Sequence, residues 1–362
     1  MIQKSNVTDM PGEDHRLDAF DYALPEGRIA RFPPERRDGG RLLVGHGCAW
    51  QDRLVADLPQ LFQAGDLLVV NDTRVLAARL FGHRSSGGRV EILVLSAKSK
   101  TVSAMVRPGR KIKDGEVISL LDKSGSPSTY CAEVGPSESD GARTVVLSDP
   151  PGAVLSACGH LPIPPYLERE ASETDEVRYQ TIFAEKPGAI AAPTASLHLT
   201  HPLLEQIRAA GAEVATVTLH VGPGTFRNLR PSDLDRGSLH IEPYTIPKRT
   251  KAAIDACRSV GGRVIAVGTT VTRTLESAAT PDRTVEAGEG NTDLFIQPGY
   301  TFRVVDRLLT NLHLPRSSLL MLVSAFGGHQ HVMAGYAHAV AHGYRFYSYG
   351  DAMFLEPGGD LP

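Results

Sequence analysis

Four histidines each stand alone at the edge of an apolar run or turn. They are His198 in GAIAAPTASLHLT (188–200), His220 in VTLHVGPGTF (217–226), His240 in LHIEPY (239–244) and His313 in LLTNLHLP (308–315). An imidazole titrates near neutral pH, so it can accept or deliver a proton in a reaction. The small residues around His198 and His220 let a ligand approach closely, and Thr194, Ser196 and Thr200 add hydroxyls. The competing reading is structural: a lone histidine is more often a core residue with satisfied nitrogens than a catalyst. In LHIEPY, Glu242 follows His240 by two, which puts both on one side of an extended segment. A carboxylate there would orient the ring and raise its basicity. The alternative is a strand or loop with two polar residues facing water. In VIAVGTTVTRTLES (264–277) a strand ends in Gly268, Thr269 and Thr270 before a helix. The N–H groups of such a helix start attract a carboxylate or phosphate. No histidine has metal-ligand spacing, and the close pair in HQH (329–331) lacks a nearby carboxylate, so no metal site is expected. The chain has neither a G-x-G-x-x-G opening its α/β pattern nor a P-loop, which argues against a dinucleotide fold or a P-loop NTPase.

The chain that must position these groups has 362 residues, 41% hydrophobic and 22% charged, enough for two domains or one with an insertion. From 67 to about 148, short β-rich runs (LLVVN, ARLFGH, RVEILVLSA, TVSAMVR, EVISLL, YCAEV, RTVVLS) alternate with turns, the pattern of an antiparallel sheet or small barrel. After about 150, helix and strand alternate. HPLLEQIRAAG is a helix with Thr200 or His201 at its start and Gly211 at its end, and AEVATVTLHV is a covered strand. KRTKAAIDACRSVGG is a second helix, RVIAVGTT a strand and VTRTLESAA another helix. SSLLMLVSAFGG predicts a buried helix and GYAHAVAHGYRFYSYGDAM a last helix followed by a strand or loop. The fold expected is α/β, with an inserted antiparallel β-barrel. Residues 1–72 and 151–362 form a discontinuous α/β domain, and 73–150 the barrel. Cys48, Cys131, Cys158 and Cys257 are far apart, as in a reducing compartment. The polar N-terminus lacks the apolar middle of a signal peptide and no apolar run spans a membrane, so the expected location is cytoplasmic. A formal charge of −3 gives no basic footprint overall. Two local patches do: Arg28, Arg31, Arg36, Arg37 and Arg41, and then Arg107, Arg110, Lys111 and Lys113. They read as solvated loops or as phosphate contacts.

Several stretches in order resemble one family. Among them are FDYALPEGRIARFPPERRDGGRLLV, AGDLLVVNDTRVLAARLFG, VRPGRKIKDGEV, DEVRYQTIFAEKPGAIAAPTASLHLT, VTLHVGPGTF, VIAVGTTVTRTLES and LLTNLHLPRSSLLMLVSAF, from about Phe20 to Met353. The family is the S-adenosylmethionine:tRNA ribosyltransferase-isomerases of queuosine biosynthesis. The resemblance implies an enzyme that joins the ribosyl part of S-adenosylmethionine to 7-aminomethyl-7-deazaguanine at the tRNA wobble position. The sugar is rebuilt to give epoxyqueuosine, and adenine and methionine leave. It implies S-adenosylmethionine as a substrate, tRNA as a partner, and no metal, prosthetic group or membrane. Carried onto this chain, it makes His198, His220, His240 and Glu242 the catalytic candidates. His313 is a weaker one. The donor would be bound by Pro193, Thr194, Ser196, Gly222, Gly224, Thr225, Phe226, Gly268, Thr269, Thr270 and Arg273, in loops expected to meet in one pocket. The RNA phosphates would be met by Arg28, Arg31, Arg107, Arg110, Lys111 and Lys113. The chain departs from the family pattern at Ser196, where glycine is usual, at Leu199 for phenylalanine, at Pro223 for leucine and at Val271-Thr272 for Ser-Val. Two other readings of the same residues are a relative acting on a small molecule or as a lyase, and a tRNA-binding protein without catalysis.

Overall fold

The computed structural model describes residues 17–358 except 48, 98, 139–140, 223–228 and 230, and nothing of the side chains of Arg110, Pro231 and Ser232. The chain divides into two compact units. One comprises Met1–Asp72, Pro193–Leu219 and Arg227–Pro362, and the other Thr73–Ala192 with His220–Phe226.

The first unit is built on a nine-stranded sheet in the order 288–294, 238–246, 213–219, 67–71, 264–267, 307–311, 352–355, 41–46, 49–54. Its middle is parallel: strand Leu67–Asn71 pairs in that sense with Glu213–Leu219 and Val264–Val267, and the latter with Arg307–Asn311. Ser238–Ile246 and Gly288–Leu294 extend one side in antiparallel pairing. LLVVN, although it opens the β-rich block, lies in this sheet, on the α/β side of the boundary expected at residue 73. The distinguishing signal is periodicity. All five residues of Leu67–Asn71 are buried, as in a strand covered on both faces, whereas the barrel strand Arg89–Ser96 alternates.

The connecting helices start and stop where the chain chemistry requires. Thr200 accepts the Leu203 N–H at 3.3 Å to open the helix His201–Ala209, and Gly211 at φ +90° ends it in a conformation that glycine adopts without strain. Ser317 caps Ser318–Gly327 in the same way. That helix, expected as buried, sends Leu320, Met321, Leu322, Val323 and Phe326 into the main core, where they join Leu67, Val69, Val217 and Ala266.

In the second unit six antiparallel strands close into a barrel in the order 143–147, 101–107, 89–96, 79–84, 116–121, 127–137. Val90, Ile92, Val94, Val102, Ala104 and Val106 point inward at every second position. The helix Pro151–Cys158 adds Val154, Leu155 and Cys158 to that core. The same unit continues past the last barrel strand through a parallel pair, Thr73–Val75 with Lys186–Ala189. An α/β unit and a closed antiparallel barrel are thus both present, as the change of rhythm in the sequence led us to expect. Among the described residues no helix is long and apolar enough to cross a membrane.

Candidate functional site

The four parallel strands of the first unit, 213–219, 67–71, 264–267 and 307–311, end on a single edge of the sheet. In open α/β sheets ligands bind beyond the carboxyl ends of the strands. Strands 67–71 and 307–311 finish in asparagine, and strand 264–267 runs straight into Gly268. Asn71 uses its amide in place of a peptide: Oδ1 accepts the Leu219 N–H at 3.1 Å and Nδ2 donates to the Leu219 carbonyl at 2.9 Å. That extends the ladder beyond the last paired residues, Val217 and Asn71. Thr218 Oγ1 donates to Asp72 Oδ1 at 2.6 Å, so the ends of the two strands are fixed by side chains as well as backbone.

The 3₁₀ helix Thr194–His198 lies against this edge. Thr194 Oγ1 donates to Asn311 Oδ1 at 2.8 Å, at the end of strand 307–311. A methyl group placed on Gly268 would stand 3.4 Å from Ala195 Cβ. The Pro193–His198 and Gly268–Thr270 loops, two of the segments chosen from sequence, therefore meet. Gly268 takes φ +89°, and the helix Thr269–Ser277 that follows has no side-chain N-cap, so its first N–H groups are without intrahelical partners. Asn71 Nδ2 also lies 3.4 Å from Thr270 Oγ1.

His198 is buried, 3% exposed. Burial, helped by the positive charges of Arg345 and Arg37, pushes its imidazole down to about 4 against a hydrogen bond to the Arg37 backbone. Nε2 has no hydrogen-bond partner among the described residues, which leaves Nδ1 for the Arg37 bond. A proton on Nδ1 leaves the lone pair on Nε2. Gly40 makes room for the ring: a Cβ there would be 3.0 Å from His198 Cε1.

Glu242 and Arg273 form a buried ion pair, Nη1 to Oε2, while Arg273 Nε donates to the Leu294 carbonyl at 2.9 Å. His240 is exposed. A register irregularity falls between Ser238 and Glu242, and Glu242, unlike His240, is buried. His313 is buried, hydrogen-bonded through Nε2 to Thr310 at 2.9 Å and pushed by burial down to about 3. Its backbone N–H is bound by Tyr336 Oη and its carbonyl by Tyr22 Oη, a structural setting.

In the second unit, His220 Nδ1 lies 2.8 Å from Thr73 Oγ1. Its ring packs flat onto Gly188, where an added Cβ would meet Nδ1 and Cε1 at 2.7 Å. Gly222 is half-buried. Gly224, Thr225 and Phe226 lie outside the described residues. Arg107, Lys111 and Lys113 are exposed, and the side chain of Arg110 is not described. In the first patch Arg31 is exposed and Arg28 half-buried beside Gly343. In the same patch Arg36 binds Asp38, Arg37 donates to the Leu197 carbonyl at 3.2 Å, and Arg41 pairs with Asp52 and covers the Tyr344 ring at 3.8 Å.

The departures at this edge are accommodated. Ser196 is fully buried without positive φ, so no glycine freedom is needed there. Leu199 and Val271 are fully buried, and Thr272 Oγ1 returns to the Gly268 carbonyl at 3.1 Å.

Sequence reasoning missed Asn71, Asp72 and Asn311 as elements of this edge. The signal was an apolar run ending abruptly in Asn, LLVVND and RLLTN, which marks the carboxyl end of a buried parallel strand.

Comparison with known proteins agrees with this architecture. The chain is 48% identical over 349 residues to the S-adenosylmethionine:tRNA ribosyltransferase-isomerase of Dechloromonas aromatica, covering 95% of this chain and 97% of that one. It is 49% identical over 343 residues to the protein of that name in Thiobacillus denitrificans, covering 94% and 97%. The crystal structure of an S-adenosylmethionine tRNA ribosyltransferase from Thermotoga maritima matches with a TM-score of 0.52 at 33% identity, covering 93% of this chain and 99% of that one. A family model described as queuosine biosynthesis protein matches residues 17–355. The chain belongs to the queuosine biosynthesis protein family.

Proposed function

We propose that the chain is an S-adenosylmethionine:tRNA ribosyltransferase-isomerase. It transfers the ribosyl moiety of S-adenosylmethionine to the exocyclic amine of 7-aminomethyl-7-deazaguanine at the tRNA wobble position and isomerises it. The products are epoxyqueuosine in the tRNA, adenine and methionine. The reading rests on one observation above all: near-48% identity to proteins of that name along nearly the whole chain. It treats residues 73–150 as a barrel domain inserted into a discontinuous α/β domain of 1–72 and 151–362, acting in the cytoplasm with no prosthetic group.

The chemistry needs a base for the 5′ carbon, whose protons the adjacent sulfonium acidifies, an acid for departing adenine, and donors for the sugar oxygens and the methionine carboxylate. We assign the base and its orienting partner to the set His198, His220, His240 and Glu242. The lone pair on His198 Nε2 and its neutrality at working pH support a place for it in that set. Pro193, Thr194, Ser196, Gly268, Thr269, Thr270 and Arg273 serve the donor, as do Gly222, Gly224, Thr225 and Phe226. Arg28, Arg31, Arg107, Arg110, Lys111 and Lys113 serve the RNA. The test is adenine release from S-adenosylmethionine with and without tRNA carrying the acceptor base, in the wild type and in four single alanine variants. Release dependent on that tRNA, and about a hundredfold slower in the variant that lacks the base, is the expected result. Release independent of tRNA would transfer the assignment to a small-molecule acceptor or a lyase. No release at all would remove catalysis.

A further inference from the structure

Three buried polar atoms on the 3₁₀ helix and at the adjoining strand end have no hydrogen-bond partner among the described residues: Ser196 Oγ, His198 Nε2 and Asn311 Nδ2. Folded proteins satisfy the great majority of such atoms, so a concentration of them needs an explanation. Asn311 is the most constrained. It is 2% exposed and ends the strand Arg307–Asn311 at the carboxyl edge of the parallel strands. Thr194 Oγ1 donates to its Oδ1 at 2.8 Å. With the Thr194 hydroxyl donating to it, the amide oxygen is satisfied. The amide nitrogen is then the group left over, held by a neighbour that is itself held by the 3₁₀ helix.

From this arrangement we propose that Asn311 is a donor-binding residue: Thr194 occupies its Oδ1, and Nδ2 donates a hydrogen bond to an acceptor atom of the bound sulfonium nucleoside. The inference rests on the reading of the chain as an S-adenosylmethionine-dependent enzyme and deepens it. The chemistry required of the ligand is a lone pair, on a ribose oxygen or purine nitrogen in the nucleoside half or on the carboxylate in the amino-acid half. A neutral amide suits this position. It donates without adding positive charge next to a sulfonium, where a lysine or arginine would repel the substrate. The neighbouring orphan atoms fit the same purpose, since Ser196 and His198 belong to the helix that carries Thr194.

The test separates a structural from a ligand-binding amide by replacing both partners together. In Thr194→Val/Asn311→Leu no hydroxyl or amide is left unpaired, so folding stability stays near the wild-type value or rises. Affinity for S-adenosylmethionine, measured by calorimetry in the absence of tRNA, falls about tenfold or more, the scale of one hydrogen bond withdrawn from a buried donor. Asn311→Asp keeps an oxygen for Thr194 but removes the NH₂, and loses donor affinity as well. Adenosine and methionine as competitors identify the half of the ligand involved: the one whose competition weakens in the variants is the half that Nδ2 meets. Unchanged affinity in folded double-variant and Asn311→Asp proteins overturns the proposal, as does a loss of stability with affinity per folded molecule intact. A wild type that does not bind S-adenosylmethionine would instead defeat the functional reading itself, a distinguishable failure.

Discussion

His198 sets a stability that must depend on pH in a definite direction. The imidazole is buried and pushed from its ordinary 6.5 to about 4 in the folded chain. Between those values the unfolded chain binds a proton that the folded chain does not, so stability rises with pH through this window. The contribution is therefore complete above pH 6.5 and is lost as pH falls towards 4. At pH 5 the unfolded imidazole is almost fully protonated and the folded one about a tenth. The resulting loss relative to pH 7.5 is about 2 kcal/mol, from a conversion of about 1.4 kcal/mol per unit of pKa. His313, pushed to about 3 by burial, adds a loss of the same sign, so the wild type alone cannot apportion the effect.

The perturbation is His198→Gln, which keeps a polar group but cannot titrate. Urea unfolding at about pH 7.5 and about pH 5 gives two stabilities for each protein. The wild type should lose about 2 kcal/mol more than the variant across the interval. A histidine NMR titration gives the ring pKa directly. Equal losses in the two proteins, or a His198 ring that titrates near 6.5, would refute the argument, and with it the picture of a buried neutral imidazole with its lone pair on Nε2.

Two further predictions concern the second unit. Reversing charge in Arg107→Glu/Lys111→Glu/Lys113→Glu should weaken tRNA binding and lower the steepness of its salt dependence by roughly one unit for each phosphate no longer neutralised, leaving S-adenosylmethionine binding in place; a tRNA affinity and salt slope equal to those of the wild type would remove these cations from the RNA assignment. Gly188→Ala should displace the His220 ring, because the new methyl would stand 2.7 Å from it. If His220 handles a proton, turnover at saturating substrates falls at least tenfold; full turnover in a folded variant would leave His220 without a positional role.

What could be read from the sequence follows physical range. Helix ends were legible because their causes are local: Thr200 and Gly211 bracket 201–209. The barrel was legible because alternation such as that of Val90, Ile92 and Val94 is a strict two-residue pattern. For LLVVN the period was no guide, because a run of buried residues carries none, and its place between strands 213–219 and 264–267 is set by chain segments far away. The register irregularity between Ser238 and Glu242 was not legible because it arises between paired strands and cannot be seen from one of them. In the site, residue types were readable and partners were not. Arg37 read as one of five arginines on a loop, yet its backbone and guanidinium hold the His198 segment from 160 residues away.

That long-range dependence also bears on stability at this edge. An unpaired buried polar atom costs about 1–3 kcal/mol, and a domain has about 5–15 kcal/mol of stability in total. Ser196, His198, Asn311 and Arg273 together therefore represent a large fraction of what the first unit could otherwise gain by apolar packing. The surrounding structure is well able to pair such atoms. Asn71 satisfies its amide on Leu219, Thr218 finds Asp72 and Thr272 returns to Gly268, all at the same edge. Since neighbouring side chains of the same types are satisfied by short local bonds, the unsatisfied ones do not reflect a loosely built region. Three of them are held by partners that occupy one of their atoms and leave another over: Thr194 on Asn311, Arg37 on His198, Glu242 and Leu294 on Arg273. A group fixed at one atom and open at the next is preorganised for a ligand. A ligand that satisfies it recovers the desolvation cost that folding left unmet, without first having to break a bond within the protein.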